Sequence, residues 1–161
     1  MRAVLSAFAT LLLAGCVSIT ADNDTKTAAA PKDMKIAFDI TDGNPQGLML
    51  RLAVIDLTRK QLIEKGVTPR LVIAFRGDAS YYTQTNLSMI KEADRADAIK
   101  IAAKLKELRA APGVEGLEQC NVPLASRKLK PEDIMQEVKL VPNGWIALAE
   151  YQRKGYSYIV P

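Results

Sequence analysis

Along residues 34–161 the apolar positions change period repeatedly, and each change predicts a new element. Met34 to Ile40 is a short run stopped by Asp42-Gly43-Asn44-Pro45, which predicts a strand. A helix is predicted from about Gln46 to Lys65, with Gly66 as its C-terminal stop. Its first half, Leu48 to Ile55, is apolar on nearly every side, as in a helix buried on more than one face. In a domain this small, the extra face is expected to meet another subunit. Arg70 to Phe75 is a continuous apolar run, typical of a strand covered on both faces. A loop, Arg76 to Ser80, and a polar segment, Tyr81 to Asn86, follow. Lys91 to Ala110 reads as a charged amphipathic helix with Ile99, Ala102, Leu105 and Leu108 inward.

Val114 to Gln119 predicts a weaker third strand that runs into Cys120, and Asn121 to Leu129 looks helical. Pro131-Glu132-Asp133 opens another helix, with proline in the first turn and acids near its positive end. Val138 to Val141 is a fourth strand. Pro142-Asn143-Gly144 leads into a helix ending at Lys154-Gly155, and Tyr156 to Val160 is the last strand. Trp145 is expected in the core, and Tyr81 and Tyr82 either line a pocket over the sheet edge or, as such tyrosines more often do, lie half-buried at a subunit contact. Strands separated by helices imply right-handed crossovers, hence an α/β fold with a mostly parallel sheet.

The first thirty-three residues follow another pattern. Met1-Arg2 precedes an apolar stretch from Ala3 to Leu13, about eleven residues against the roughly 20 that a membrane-spanning helix needs. Leu13-Ala14-Gly15-Cys16 behind it resembles a bacterial lipoprotein signal, so residues 1–15 are expected to be removed and Cys16 lipidated. An ordinary secretory signal cut a little later is the alternative. Residues 16–33 are small and polar with no apolar period, and read as a flexible tether. Val17 after the cysteine, by analogy with Gram-negative lipoproteins, looks like an outer-membrane signal, so the periplasmic face of the outer membrane is the expected location. Several acyl chains at about 0.8 kcal/mol per buried methylene would make that anchor essentially permanent.

Composition narrows the chemistry. The formal charge of +4 falls to about +3 once Arg2 is removed, and no Lys/Arg block is interleaved with aromatics, so nucleic-acid binding is unsupported. The chain has no histidine, which excludes Ser-His-Asp and Cys-His catalysis and the usual zinc sites. Neither a metal nor another cofactor is expected; Asp42 to Gly47 is too glycine-poor to cradle a nucleotide phosphate. Of the two cysteines, lipidation of Cys16 would leave Cys120 as the free thiol, with no partner for an intramolecular disulfide.

Ligands in open α/β sheets collect at the carboxyl ends of the strands. Those ends carry Asp42 and Asn44, Arg76, Cys120 with Asn121, and Asn143, which together form the candidate pocket. Cys120 precedes a predicted helix whose positive end, with Arg127 and Lys128 nearby, would favour the thiolate. Read on spacing alone, a small apolar residue filling a strand end is the more economical account.

A resemblance shifts that balance. Leu117 to Ala125, Leu129 to Ile134, Val138 to Gly144 and Tyr151 to Ile159 together resemble the C-terminal half of the DsrE/DsrF-like family, and the opening strand with its Asp-Gly turn extends the likeness to residues 34–161. The resemblance implies a single five-stranded, mostly parallel domain with helices on both faces, assembled as trimers or hexamers. Cytoplasmic relatives pass sulfur as a cysteine persulfide, and Cys120 occupies the place of the cysteine in many members. The implied function is a sulfur carrier working with a thiol or persulfide partner. A non-catalytic binding or assembly protein and a redox sensor are the competing expectations.

Overall fold

The structure, a computed structural model, describes residues 32–161. The expected signal segment, Cys16 and the tether as far as residue 31 lie outside the described residues. Asp33, expected to end the tether, is already the first residue of strand β1 (Asp33–Ile40). After it come α1 (Pro45–Glu64), β2 (Thr68–Phe75), α2 (Arg95–Ala110), β3 (Val114–Cys120), α3 (Val122–Arg127), β4 (Val138–Val141), α4 (Gly144–Arg153) and β5 (Ser157–Ile159). The five strands form one sheet in the order β4-β3-β2-β1-β5, and every pairing is parallel. The expected α/β class is what the chain adopts.

Local chemistry sets the helix ends. Asn44 caps α1 by accepting the Gly47 N–H at 2.7 Å, with Pro45 in the first turn, where it sacrifices no helical hydrogen bond. Gly66, at φ 73°, supplies the left-handed residue that ends the helix. Asn143 caps α4 in the same way, accepting from the Trp145 N–H at 2.9 Å.

Crossover handedness then places the helices. The chain steps from β1 to β2, β3 and β4 in one direction, so right-handed connections put α1, α2 and α3 on one face. There Phe38, Ile73, Phe75 and Leu117 of the sheet pack with Leu52, Ile55, Ile101 and Leu105. The return from β4 across the sheet to β5 turns α4 onto the opposite face. That face carries the smaller Ala37, Val72 and Ala74, which let Leu148 of α4 and Tyr156 come close.

Four expectations are corrected. Ile99 is 56% exposed; the inward arc of α2 is Ala98, Ile101, Leu105 and Leu108, at helical spacing, and Ile99 falls one residue off it. Arg76 to Asn86 is no simple polar loop. Gly77–Tyr82 is a 3-10 helix whose Ala79, Ser80 and Tyr82 are buried, as are Thr83 and Gln84 just after it. The helix expected from Pro131 is a single 3-10 turn, Pro131–Asp133, because Ile134 turns extended to bridge Gln84. Trp145 is 71% exposed and does not belong to the core.

The contact between α1 and α2 contains a buried carboxylate. Asp56 receives Arg59 Nε at 2.9 Å, Lys60 at 2.9 Å and Lys104 of α2 at 3.1 Å. Burial alone would raise the Asp56 pKa, but the hydrogen bonds from Lys60, Arg59 and Lys104 outweigh it and hold the carboxyl far below its ordinary value. Asp56→Asn is expected to reduce the unfolding free energy by about 3 kcal/mol or more at neutral pH, because Arg59 and Lys104 lose their counter-charge. Urea unfolding measures this. The Asp56 contribution is fully present above the ordinary carboxyl pKa of 3.8 and disappears as pH falls below it, so the gap between wild type and variant should close in acid.

Candidate functional site

Adjacent strands whose connections leave toward opposite faces open a crevice at their carboxyl ends. Here those strands are β3, which continues into α3 on one face, and β4, which continues into α4 on the other. Cys120 is the last residue of β3, opposite Val141 of β4, and it points toward the α4 face. The thiol is therefore placed at the sheet's switch point by topology alone.

Its surroundings are built from three neighbouring segments. The Gly144 N–H, in the first turn of the ten-residue α4, donates to Cys120 Sγ at 3.1 Å. Cys120 is 7% exposed and lies in the wall of a cavity of about 230 Å³ lined also by Arg76, Val122, Pro123, Asn143 and Trp145. Asn143 therefore both caps α4 and lines the cavity. The sequence reading assigned the helix end near the sulfur to the segment following Cys120. The amide that reaches the sulfur comes from α4, and α3 is only six residues long. Arg127 is engaged elsewhere: it pairs with Asp78, and its guanidinium lies 4.9 Å from the centre of the Tyr81 ring.

Arg76, at the end of β2, carries the charge in the cavity. Its Nε and Nη2 donate to the two oxygens of Asp39 at 2.8 and 2.5 Å, and its guanidinium carbon lies 5.7 Å from the Trp145 ring centre. Asp39 is 1% exposed and also accepts the Tyr158 hydroxyl of β5 at 2.6 Å. The hydrogen bond to Asp39 raises the pKa of Arg76, and that of Tyr158 likewise, so at neutral pH both remain protonated.

The remaining expected pocket residues separate. Asp42 lines a second cavity of about 480 Å³ with Asp78, Tyr81, Tyr82 and Asp94, and is held by Arg51 at 3.1 Å. Tyr82 is buried there, and burial followed by the nearby Asp94 pushes its hydroxyl up to about 12. Asn44 is spent on capping α1, and Asn121 is an exposed residue preceding α3. Asp39 and Tyr158 were missed as site residues. Asp39 left one signal: a carboxylate within an otherwise apolar strand end, which requires a buried partner.

Among the described residues, no group of three His, Cys, Asp or Glu side chains is arranged to hold a metal ion. The chemistry offered is that of one sulfur atom with a backbone donor, an arginine and an exposed aromatic wall.

Residues 34–161 match the DsrE/DsrF-like family. The chain belongs to that family. A protein of Aquifex aeolicus (strain VF5), described as uncharacterized, is 30% identical over 126 residues, covering 78% of this chain and 55% of that protein. The chain thus spans about half the length of this relative. Among solved structures, a protein of unknown function from Methanobacterium thermoautotrophicum, MTH1491, is similar with a TM-score of 0.60 and 17% identity, covering 80% of this chain and 100% of that one. The ychN protein of E. coli is similar with a TM-score of 0.50 and 15% identity, over 79% and 98% of the respective chains. At these identities the two structures establish the shared fold alone.

Gly144 offers a direct probe of the site. A Cβ there would lie 2.6 Å from Arg76 Cδ and 3.0 Å from Cys120 Cβ. Gly144→Ala is expected to displace Arg76, to cost about 1–3 kcal/mol from overpacking, and to slow alkylation of Cys120 in the folded protein. Mass spectrometry of iodoacetamide-treated protein follows the rate. Unchanged stability and rate would mean that the first turn of α4 is looser than this geometry requires.

Proposed function

We propose that this DsrE/DsrF-like protein is an exported, lipid-anchored sulfur carrier in which Cys120 accepts and hands on sulfane sulfur. The observation that carries the reading is the position of Cys120, the free thiol of the described residues, at the switch-point cavity with a main-chain N–H on its sulfur. The family cysteine-persulfide chemistry fits such a site. The Cys120 thiolate attacks the outer sulfur of a donor R–S–SH, a new S–S bond forms to Sγ, the donor S–S bond breaks, and R–S⁻ leaves with the electron pair. Onward transfer repeats the displacement: an acceptor thiolate takes the outer sulfur, and the Cys120 thiolate is the leaving group. No oxidant is consumed. The absence of a second cysteine from the folded part makes a partner thiol necessary to complete the cycle.

Attachment to the membrane belongs to the same proposal, through Cys16 and the polar tether. No helix among the described residues is long and apolar enough to cross a membrane. Assembly into trimers or hexamers is proposed too. Leu50, Val54 and Leu57 of α1, spaced along one side of the helix, are 66%, 49% and 52% exposed, an apolar stripe that association would cover. That stripe, together with the low exposure of Cys120, also supports a second reading: an assembly protein with Cys120 as a packing residue.

The two readings part on one substitution. Protein incubated with a persulfide donor should gain the mass of one sulfur on Cys120, and Cys120→Ser should lose that gain while keeping its fold. Undiminished uptake by Cys120→Ser would sink the carrier reading; a wild-type protein that takes up no sulfur would favour the assembly reading. For the anchor, a cell producing the full chain with Cys16→Ser should shift the protein from the membrane to the soluble fraction, and fatty-acid labelling should vanish. Persistent membrane association and labelling would remove Cys16 from the account.

A further inference from the structure

The buried charges beside Cys120 have an informative orientation. Asp39, Arg76 and Cys120 lie at the ends of β1, β2 and β3, which are neighbours in that order. The ion pair is therefore aligned across the sheet with Arg76 on the side of the thiol and Asp39 on the far side. Tyr158 donates to Asp39 at 2.6 Å, so the carboxylate is satisfied from behind as well as in front. With Nε and Nη2 committed to Asp39, the third guanidinium nitrogen, Nη1, is left for the cavity that Arg76 lines. The Gly144 N–H adds a second positive dipole at Sγ. Around these groups the wall is Val122, Pro123 and Trp145, apolar surface that strengthens a local field by keeping water away.

We propose that this cavity selects small anions, with Arg76 as the residue that sets the selectivity and Asp39 and Tyr158 as the residues that position it. The proposal builds on the sulfur-carrier reading by naming the donor class: a small sulfane-sulfur compound carrying negative charge next to the sulfur it gives up. In the displacement, Sγ bonds to the transferred sulfur, the bond from that sulfur to the rest of the donor breaks, and the electron pair departs on the remainder. Arg76 faces the place where that negative charge collects. A volume of about 230 Å³ suits such a compound; it is below the ~300–1,000 Å³ of pockets that enclose drug-sized ligands.

The test compares two alkylating agents of similar size, anionic iodoacetate and neutral iodoacetamide, reacting with Cys120 in the folded protein. Their rate ratio cancels the fraction of thiol ionised and reports the field at the cavity mouth. Arg76→Gln should lower the iodoacetate-to-iodoacetamide ratio by about tenfold, the low end of what a focused cleft field does to ion association. Arg76→Lys should retain part of the ratio. Arg76→Gln leaves the buried Asp39 without its counter-charge, which destabilises the fold, so Asp39→Asn/Arg76→Gln, which removes both charges, is measured alongside and should lower the ratio as well. A ratio unchanged in the folded double variant overturns the proposal. Failure of the folded wild-type protein to react with either reagent overturns it too, since a selective cavity must admit an anion. Sulfur uptake does not enter this measurement. A fallen ratio without persulfide formation supports the anion site and removes the carrier reading; persulfide formation with an unchanged ratio does the reverse.

Discussion

The close approach of the first turn of α4 to the end of β3 governs how the rest of the site is arranged. Gly144 fits there because it has no side chain: the space a Cβ would occupy is taken by Arg76 and by the Cβ of Cys120. This contact brings a main-chain N–H to the sulfur and seats Trp145 at the cavity. It is a consequence of crossover direction, since only the β4–β5 connection runs back across the sheet and carries its helix to the other face. A chain that continued in one direction would leave Cys120 facing bare sheet.

The two faces manage charge differently. On the face covered by α1 and α2, Asp56 is surrounded by Arg59, Lys60 and Lys104, and the network serves to join two helices. On the α4 face, Asp39 is just as buried but has its partners on one side of a cavity, and the arginine it holds is 18% exposed. A buried carboxylate needs strong donors in either case. The difference is that the second arrangement leaves part of a cation in contact with space a ligand can enter. That asymmetry distinguishes the β1–β2–β3 ends from the larger acidic cavity around Asp42.

Apolar surface is distributed unevenly as well. The stripe on α1 lies on the far side of the sheet from Cys120, whereas Val122, Trp145 and Ile146, all more than half exposed, are gathered about the thiol end. Family membership accounts for the fold on which both surfaces are displayed. The chemistry therefore rests on the residues of this chain.

Most of the architecture was legible in the sequence because it depends on local periods and stop signals. The apolar runs of β1 and β2, the Asn44-Pro45 start and Gly66 stop of α1, and the position of Cys120 at a strand end needed only neighbouring residues to be recognised. Where long-range pairing overrides local preference the reading failed: Pro131 opens one turn and not a helix, since Ile134 is drawn to Gln84 fifty residues away in sequence. Trp145 shows the same limit, as its size suggests burial but its place beside a cap turns it outward. By itself the sequence determined that Cys120 would stand at the carboxyl end of a parallel strand. Only the tertiary structure decided which helix would reach it, and that Arg76 and Asp39 would meet Tyr158 from the last strand, because those partners lie far apart in the chain and are brought together by the order of the sheet.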